Sequence, residues 1–375
     1  MTDPRRIAAL LTGIAATGLP GAPGKGLSAE IDAAEWPSLR GGLLGHRLTG
    51  LAVEAASRGQ LLLPDQPLAE LLKLQRDAMA MTLVLESRLV ELSARLRADD
   101  IDFLVLKGPA VAHGYYTDPA WRPFSDLDLL VRQSQWNQTA SLLNGMGFAR
   151  NLPEPRPNFD IRFGKAVTWI RGEVAIDLHR SLAAGPFGLW MVPDELWEHT
   201  ESFELGGQLL ERLDVTGQLL HACVHASLGW FPPLILPLRD VLQIASESSV
   251  DWEELSSWSR RWRLNGVLQH ALTTAATRFG TSLPGASDTL LHAPVGTRER
   301  RALEAYTTQK RHRGGTAVAA LAAIPGLRAR ATYAHSLLWP DREFLKARSS
   351  DGESSSYLRR WATPARWFLG DRRGQ

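Results

Sequence analysis

The chain has 375 residues, 44% hydrophobic and 22% charged, long enough for two or three compact units and too hydrophobic for a disordered chain. Its 42 Lys and Arg against 40 Asp and Glu leave a formal charge of +2, which excludes a generic polyanion binder. The charge is uneven: residues 298–373 carry 16 basic and 7 acidic side chains, a net +9, leaving about −7 on the residues before them.

A single cysteine, Cys223, excludes an intramolecular disulfide and a zinc site built on several thiolates, in keeping with a reducing, cytoplasmic setting. No apolar run reaches the roughly 18 residues of a membrane helix. Thr316 to Leu327 is the longest, and Pro325 interrupts it, so no membrane partner is expected. Arg5-Arg6 followed by Ile7 to Leu11 has the outline of a signal peptide. The short apolar stretch and the preceding Asp3 point instead to an amphipathic helix stopped at Gly18-Leu19-Pro20-Gly21.

In chain order, residues 1–99 read as a helical region, with one long helix or two consecutive ones from Gln66 to Arg97. Residues 100–210 form an α/β unit. The run Asp102 to Leu106 predicts a strand, Lys107-Gly108 a turn, and Pro109 a helix through Tyr115. After a turn-like stretch from Thr117 to Pro123, a second strand runs from Asp126 to Val131. A helix from about Gln135 to Asn144 then ends at Gly145 and Gly147. Ala166–Ile170 and Val174–Leu178 predict a hairpin around Arg171-Gly172-Glu173, placing the sheet between about Asp100 and Leu182.

Residues 211–346 read as a helical domain, with helices near Val215–Leu228, Leu238–Glu247, Trp252–Trp262 and Gly266–Phe279. Residues 347–375 predict a loop, Ala347 to Ser356, and a short basic helix, Tyr357 to Leu369. The fold class is α+β, a mixed sheet flanked by helical regions, without internal repeats.

The chemistry concentrates in Arg122-Pro123-Phe124-Ser125-Asp126-Leu127-Asp128-Leu129-Leu130-Val131. Residues i and i+2 of a strand share a face, so Asp126 and Asp128 set two carboxylates side by side while Leu127 and Leu129 face a core. Their repulsion is relieved by a divalent cation, and hard oxygen ligands select Mg²⁺ or Mn²⁺. The same triplet also serves proteins as a turn or capping pair. Asp177, in the apolar strand Ala175-Ile176-Asp177-Leu178-His179, is placed to complete a metal site. His179 shares its face and is expected to hydrogen-bond there, with metal or phosphate contact as the alternative.

His221 and His225 stand one helical turn apart but lack a third ligand, and they read as part of a helix packed on a cleft rather than as a zinc site. Gly24-Lys25 lacks the Ser or Thr and the preceding strand of a phosphate loop. Trp252, Trp258 and Trp262 recur at helical spacing and read as core.

The block from Phe103 to Phe148 resembles the nucleotidyltransferase superfamily of the DNA polymerase β type. More narrowly, Leu106-Lys107-Gly108, the Arg122–Val131 strand and Ile176-Asp177-Leu178-His179 are similar to a bacterial nucleotidyltransferase-like family. The resemblance implies two-metal transfer of a nucleoside monophosphate from an NTP. In it Asp126, Asp128 and Asp177 hold the metal, Asp177 assists the acceptor's deprotonation, and Lys107, Gly108, Arg122 and Ser125 meet nucleotide or phosphate. For Lys107 the alternative is a solvated turn lysine, and for Arg122 a surface salt bridge. The chain departs from well-studied members in carrying Lys107-Gly108 where a Gly-Ser pair opens the helix, and in its long spacing from Gly108 to Asp126.

Sequence alone leaves the acceptor open. The +9 region intersperses its basic residues with Leu, Ala and Trp as packed helices do, and it carries no nucleic-acid-binding motif. A protein, peptide or small-molecule acceptor is therefore expected over tRNA. The competing class is an inactive or regulatory protein that keeps the fold, as a nucleotide sensor, a toxin–antitoxin partner or an accessory of natural-product assembly.

Overall fold

The computed structural model describes residues 3–22, 28–308 and 313–349. Two short strands, β1 (Ala29–Glu30) and β2 (Leu61–Leu62), pair in parallel. A separate seven-stranded mixed sheet contains β3 (Phe103–Leu106), β4 (Leu127–Val131), β5 (Ala149–Arg150), β6 (Ala166–Arg171), β7 (Val174–His179), β8 (Thr200–Leu205) and β9 (Gln208–Leu213). Their order is β5-β6-β7-β4-β3-β9-β8, with β4 central, parallel to β7 and antiparallel to β3. Helices precede and follow the sheet, so the α+β expectation holds.

Strand alternation divides the sheet's residues between two cores. Leu127, Leu129 and Val131 of β4 and Ile176 and Leu178 of β7 pack with Leu85, Leu89, Leu92 and Leu96 of the helix Asp65–Ala98. Asp128, Asp177 and His179, at the alternate positions, face the other way. On that side lie Leu104, Leu106 and Leu130, in one core with residues of the helices Pro4–Ala15, Val215–Leu228 and Ile235–Ala245. The predicted long helix is a single one of 34 residues. Its only proline, Pro67, lies in the first turn, where it is tolerated, and Arg95 and Arg97 complement the dipole in the last.

The sheet does not end near Leu182. The hairpin β8–β9 extends it to Leu213, and β9 lies parallel to β3 through the pairing of Val105 with Arg212. Gly206 and Gly207 make its two-residue turn with φ of +57° and +76°, the doubly positive geometry that a type I′ turn demands. In β8 only Phe203 and Leu205 are buried, which leaves the strand little hydrophobic signal.

The later helices are Val215–Leu228, Ile235–Ala245, Trp252–Arg261, Asn265–Phe279, Thr297–Thr307, Arg313–Ala323, Leu327–Leu338 and Arg342–Ser349, with a one-turn helix, Asp288–Leu291, among them. The second starts ahead of Leu238 because Pro237 is accommodated in its first turn. Ala347 to Ser349 close a helix where a loop was expected. The rest of that loop and the expected helix Tyr357–Leu369 lie outside the described residues. Trp258 and Trp262 are buried with rings stacked 5.7 Å apart, as core residues. Among the described residues no helix is long and apolar enough to cross a membrane.

Candidate active site

β3 delivers the chain to Lys107, which precedes the helix Gly108–Tyr115. Lys107 has φ +43° and ψ −130°, a conformation that costs a non-glycine residue about 1–3 kcal/mol. Gly108 follows under the Phe124 ring, which a Cβ at this position would approach to 3.3 Å. The turn aims the Lys107 side chain at the adjacent strand, where Nζ lies 2.5 Å from Oδ1 of Asp128.

Asp128 is 2% exposed and also accepts a 2.7 Å hydrogen bond from His179 Nε2. Burial alone would raise its pKa, but the Lys107 charge and the His179 bond prevail and hold the carboxyl well below the ordinary Asp value. Burial lowers the pKa of His179 despite that bond, so the neutral ring presents its proton at Nε2 to Asp128.

Asp177 lies directly beside Asp128 in the β4–β7 register, and its Oδ1 accepts a 2.6 Å bond from Thr168 Oγ1 on β6. Ligand atoms of Asp128, Asp177 and His179 lie within 4.8 Å of one another. One carboxylate pair is thus formed across two strands. Asp126 sits in a bend, since the strand begins one residue later, and it falls outside that trio. It still senses the cluster: burial, then the charge of Asp128, raises its pKa. Asp128, Asp177 and His179 bring enough ligand atoms together to hold a metal ion, and Asp126 lies within electrostatic reach of the two carboxylates.

Arg122 is buried rather than paired at the surface. Its Nε and Nη2 bond Oδ1 and Oδ2 of Asp240 at 2.9 and 2.7 Å, and Nη1 donates to the Gly108 carbonyl at 3.2 Å. The guanidinium thereby ties the Lys107-Gly108 turn to the helix Ile235–Ala245. Ser125 is exposed beside Asp126.

Two cations escaped the sequence reading. Lys165 stands at the head of β6, and its carbonyl accepts the amides of Arg180 and Ser181, the residues that follow His179. Burial, then the Lys107 charge, pushes its amine down to about 8, against the pull of Asp128, Asp177 and Asp126. Arg47, exposed at the end of the helix Trp36–His46, acts on Asp126 from outside. No local motif marks either residue; only an apolar run beginning immediately after Lys165 hinted that it opens a strand.

The model of a family described as uncharacterised nucleotidyltransferases matches residues 32–280, a span that contains every site residue above. The chain belongs to this nucleotidyltransferase family. Among solved structures it is similar to an antigenic nucleotidyltransferase-like protein from Paracoccidioides brasiliensis. The identity is 14% and the TM-score 0.33, over 55% of this chain and 95% of that one. No curated protein matches the sequence.

In this member of the nucleotidyltransferase family, a cavity of about 10 Å³ lies behind the Lys107 turn, lined in part by Arg122, Gln218, His221, His225 and Asp240, with room for about one water. His221 and His225 are held neutral, their pKa values well below the ordinary histidine value, by burial and then by the charges of Lys107 and Lys165. They line that cavity from the helix Val215–Leu228.

Proposed function

We propose that the protein is a Mg²⁺- or Mn²⁺-dependent nucleotidyltransferase that moves a nucleoside monophosphate from an NTP to a protein, peptide or small-molecule acceptor. The observation that carries this reading is the pairing of Asp128 with Asp177 across β4 and β7, one turn away from a strained Lys107-Gly108 strand-to-helix junction. Asp128 and Asp177 offer the oxygens that would hold the cation, and Asp126 adds a third carboxylate. A bound divalent cation supplies neutralisation of the triphosphate and a more acidic acceptor hydroxyl.

The chain's own groups divide the remaining tasks. His179 fixes the Asp128 carboxylate through Nε2. Asp177 commits Oδ1 to Thr168, leaving Oδ2 to take the acceptor's proton. The first amides of the helix Gly108–Tyr115 point toward its N-terminus, where phosphate oxygens are favoured, and Arg122 secures that turn through the Gly108 carbonyl. Burial and the Asp128 charge raise the pKa of Asp126, so it keeps its proton to a higher pH than an ordinary Asp, and cation affinity rises as that proton is lost.

The contacts that close Asp128 also favour a second reading, a regulatory protein that binds nucleotide without turnover, because Lys107 and His179 already satisfy its charge. Incubation of the purified protein with each α-labelled NTP, Mg²⁺ and a cell extract separates the two. Catalysis predicts pyrophosphate release and a labelled acceptor with the wild type and neither with Asp128→Asn. Nucleotide binding with no release of pyrophosphate supports the regulatory reading.

A further inference from the structure

Three basic side chains surround the carboxylates from within the fold, and they are differently engaged. Lys107 is held by Asp128 at 2.5 Å. Arg122 is held by both oxygens of Asp240. Lys165 is half-buried, and its ammonium makes no hydrogen bond or ion pair with a described residue. A charged group in that setting has restricted access to water and no fixed partner, a deficit that an anion would fill.

Its backbone is fixed with precision. β6 pairs Ala166 with His179 and Thr168 with Asp177, and the carbonyl of Lys165 takes the amides of Arg180 and Ser181 at 2.9 and 3.3 Å. The lysine therefore emerges beside the strand end that carries Asp177 and His179, within electrostatic reach of all three carboxylates and of Lys107. Asp126, Asp128 and Asp177 bring three negative charges against the two of Lys107 and Lys165. That net charge of −1 is reversed by a divalent cation, whereas removal of Lys165 leaves −2 facing the phosphates.

We propose that Lys165 is the cation that grips the terminal phosphates of the nucleotide, beyond the phosphate contacts that the family resemblance implied for Lys107 and Arg122. The inference rests on the reading of the site as one for a triphosphate. Lys165 serves as a point charge on the β- and γ-phosphates, and with Lys107 at the start of the helix Gly108–Tyr115 it brackets the chain of phosphates. Arg122 is a positioning residue that acts through Gly108.

The test uses the full chain and inorganic tripolyphosphate with Mg²⁺, a probe independent of the base, in titration calorimetry. The wild type binds it; Lys165→Met and Lys165→Gln each weaken it about tenfold or more, and Lys165→Arg restores most of the affinity. Circular dichroism and melting of each variant report folding separately, and the Gln variant keeps a polar head of similar reach. Equal binding by wild type, Met and Gln variants overturns the role of Lys165 and leaves the proposed function standing. A wild type that binds neither tripolyphosphate nor any NTP with Mg²⁺ overturns both.

Discussion

Lys107 Nζ and Asp128 Oδ1 lie 2.5 Å apart across the β3–β4 pair, while the lysine backbone sits at φ +43°. The ion pair and the strain oppose one another at a single residue. Lys107→Met removes the pair and keeps the strain, and should cost about 3 kcal/mol. Lys107→Gly loses the same pair but adopts the positive φ freely, and should cost about 1 kcal/mol less. Urea unfolding of both variants checks the order; a glycine variant less stable than the methionine one contradicts the strain.

The Arg122–Asp240 pair joins residues 118 positions apart and is buried on both sides. Arg122→Met alone should destabilise by about 3–5 kcal/mol, because it strands Asp240 without its cation. The double variant Arg122→Met/Asp240→Leu should recover part of that loss. Denaturant midpoints of the two give the comparison.

His221 and His225 make stability fall with acid. Both stay neutral in the folded protein well below their ordinary value of 6.5, whereas the unfolded chain takes up protons as soon as pH drops through it. The unfolded state then binds more protons, so folding weakens by up to about 1.4 kcal/mol per pH unit for each histidine. His46, His179 and His270 shift in the same direction and add to the slope. Melting between pH 7 and 5 should show the loss, and His221→Gln/His225→Gln should flatten it without abolishing it.

Lys165 predicts a second pH effect, on binding. With its amine pushed down to about 8, it loses its charge between roughly pH 7 and 9. Affinity for Mg²⁺–tripolyphosphate should fall over that interval in the wild type and hold in Lys165→Arg. A flat wild-type profile removes the lysine from the phosphates.

The sequence disclosed the strands that carry the site because their leucines alternate with Asp128, Asp177 and His179, and that alternation fixed which side chains share a face. It hid the partners. Asp126 looked equivalent to Asp128 by spacing, yet the strand starts one residue too late to hold it in register. Arg122 finds Asp240 on a helix far along the chain, and Lys165 gains its position from two amides beyond His179; no local pattern encodes either. The β8–β9 hairpin was readable from Gly206-Gly207, but its half-exposed, Glu-bearing strands gave weak alternation.

The proposed function requires Asp128 and Asp177 together to hold a divalent cation for an NTP. Calorimetric titration of ATP and GTP, with and without Mg²⁺, into the wild type, Asp128→Asn and Asp177→Asn tests it most directly. The expected result is Mg²⁺-dependent binding of at least one NTP by the wild type and a loss of about tenfold or more in each variant, with circular dichroism unchanged. Mg²⁺-dependent binding of equal strength in all three proteins would contradict it.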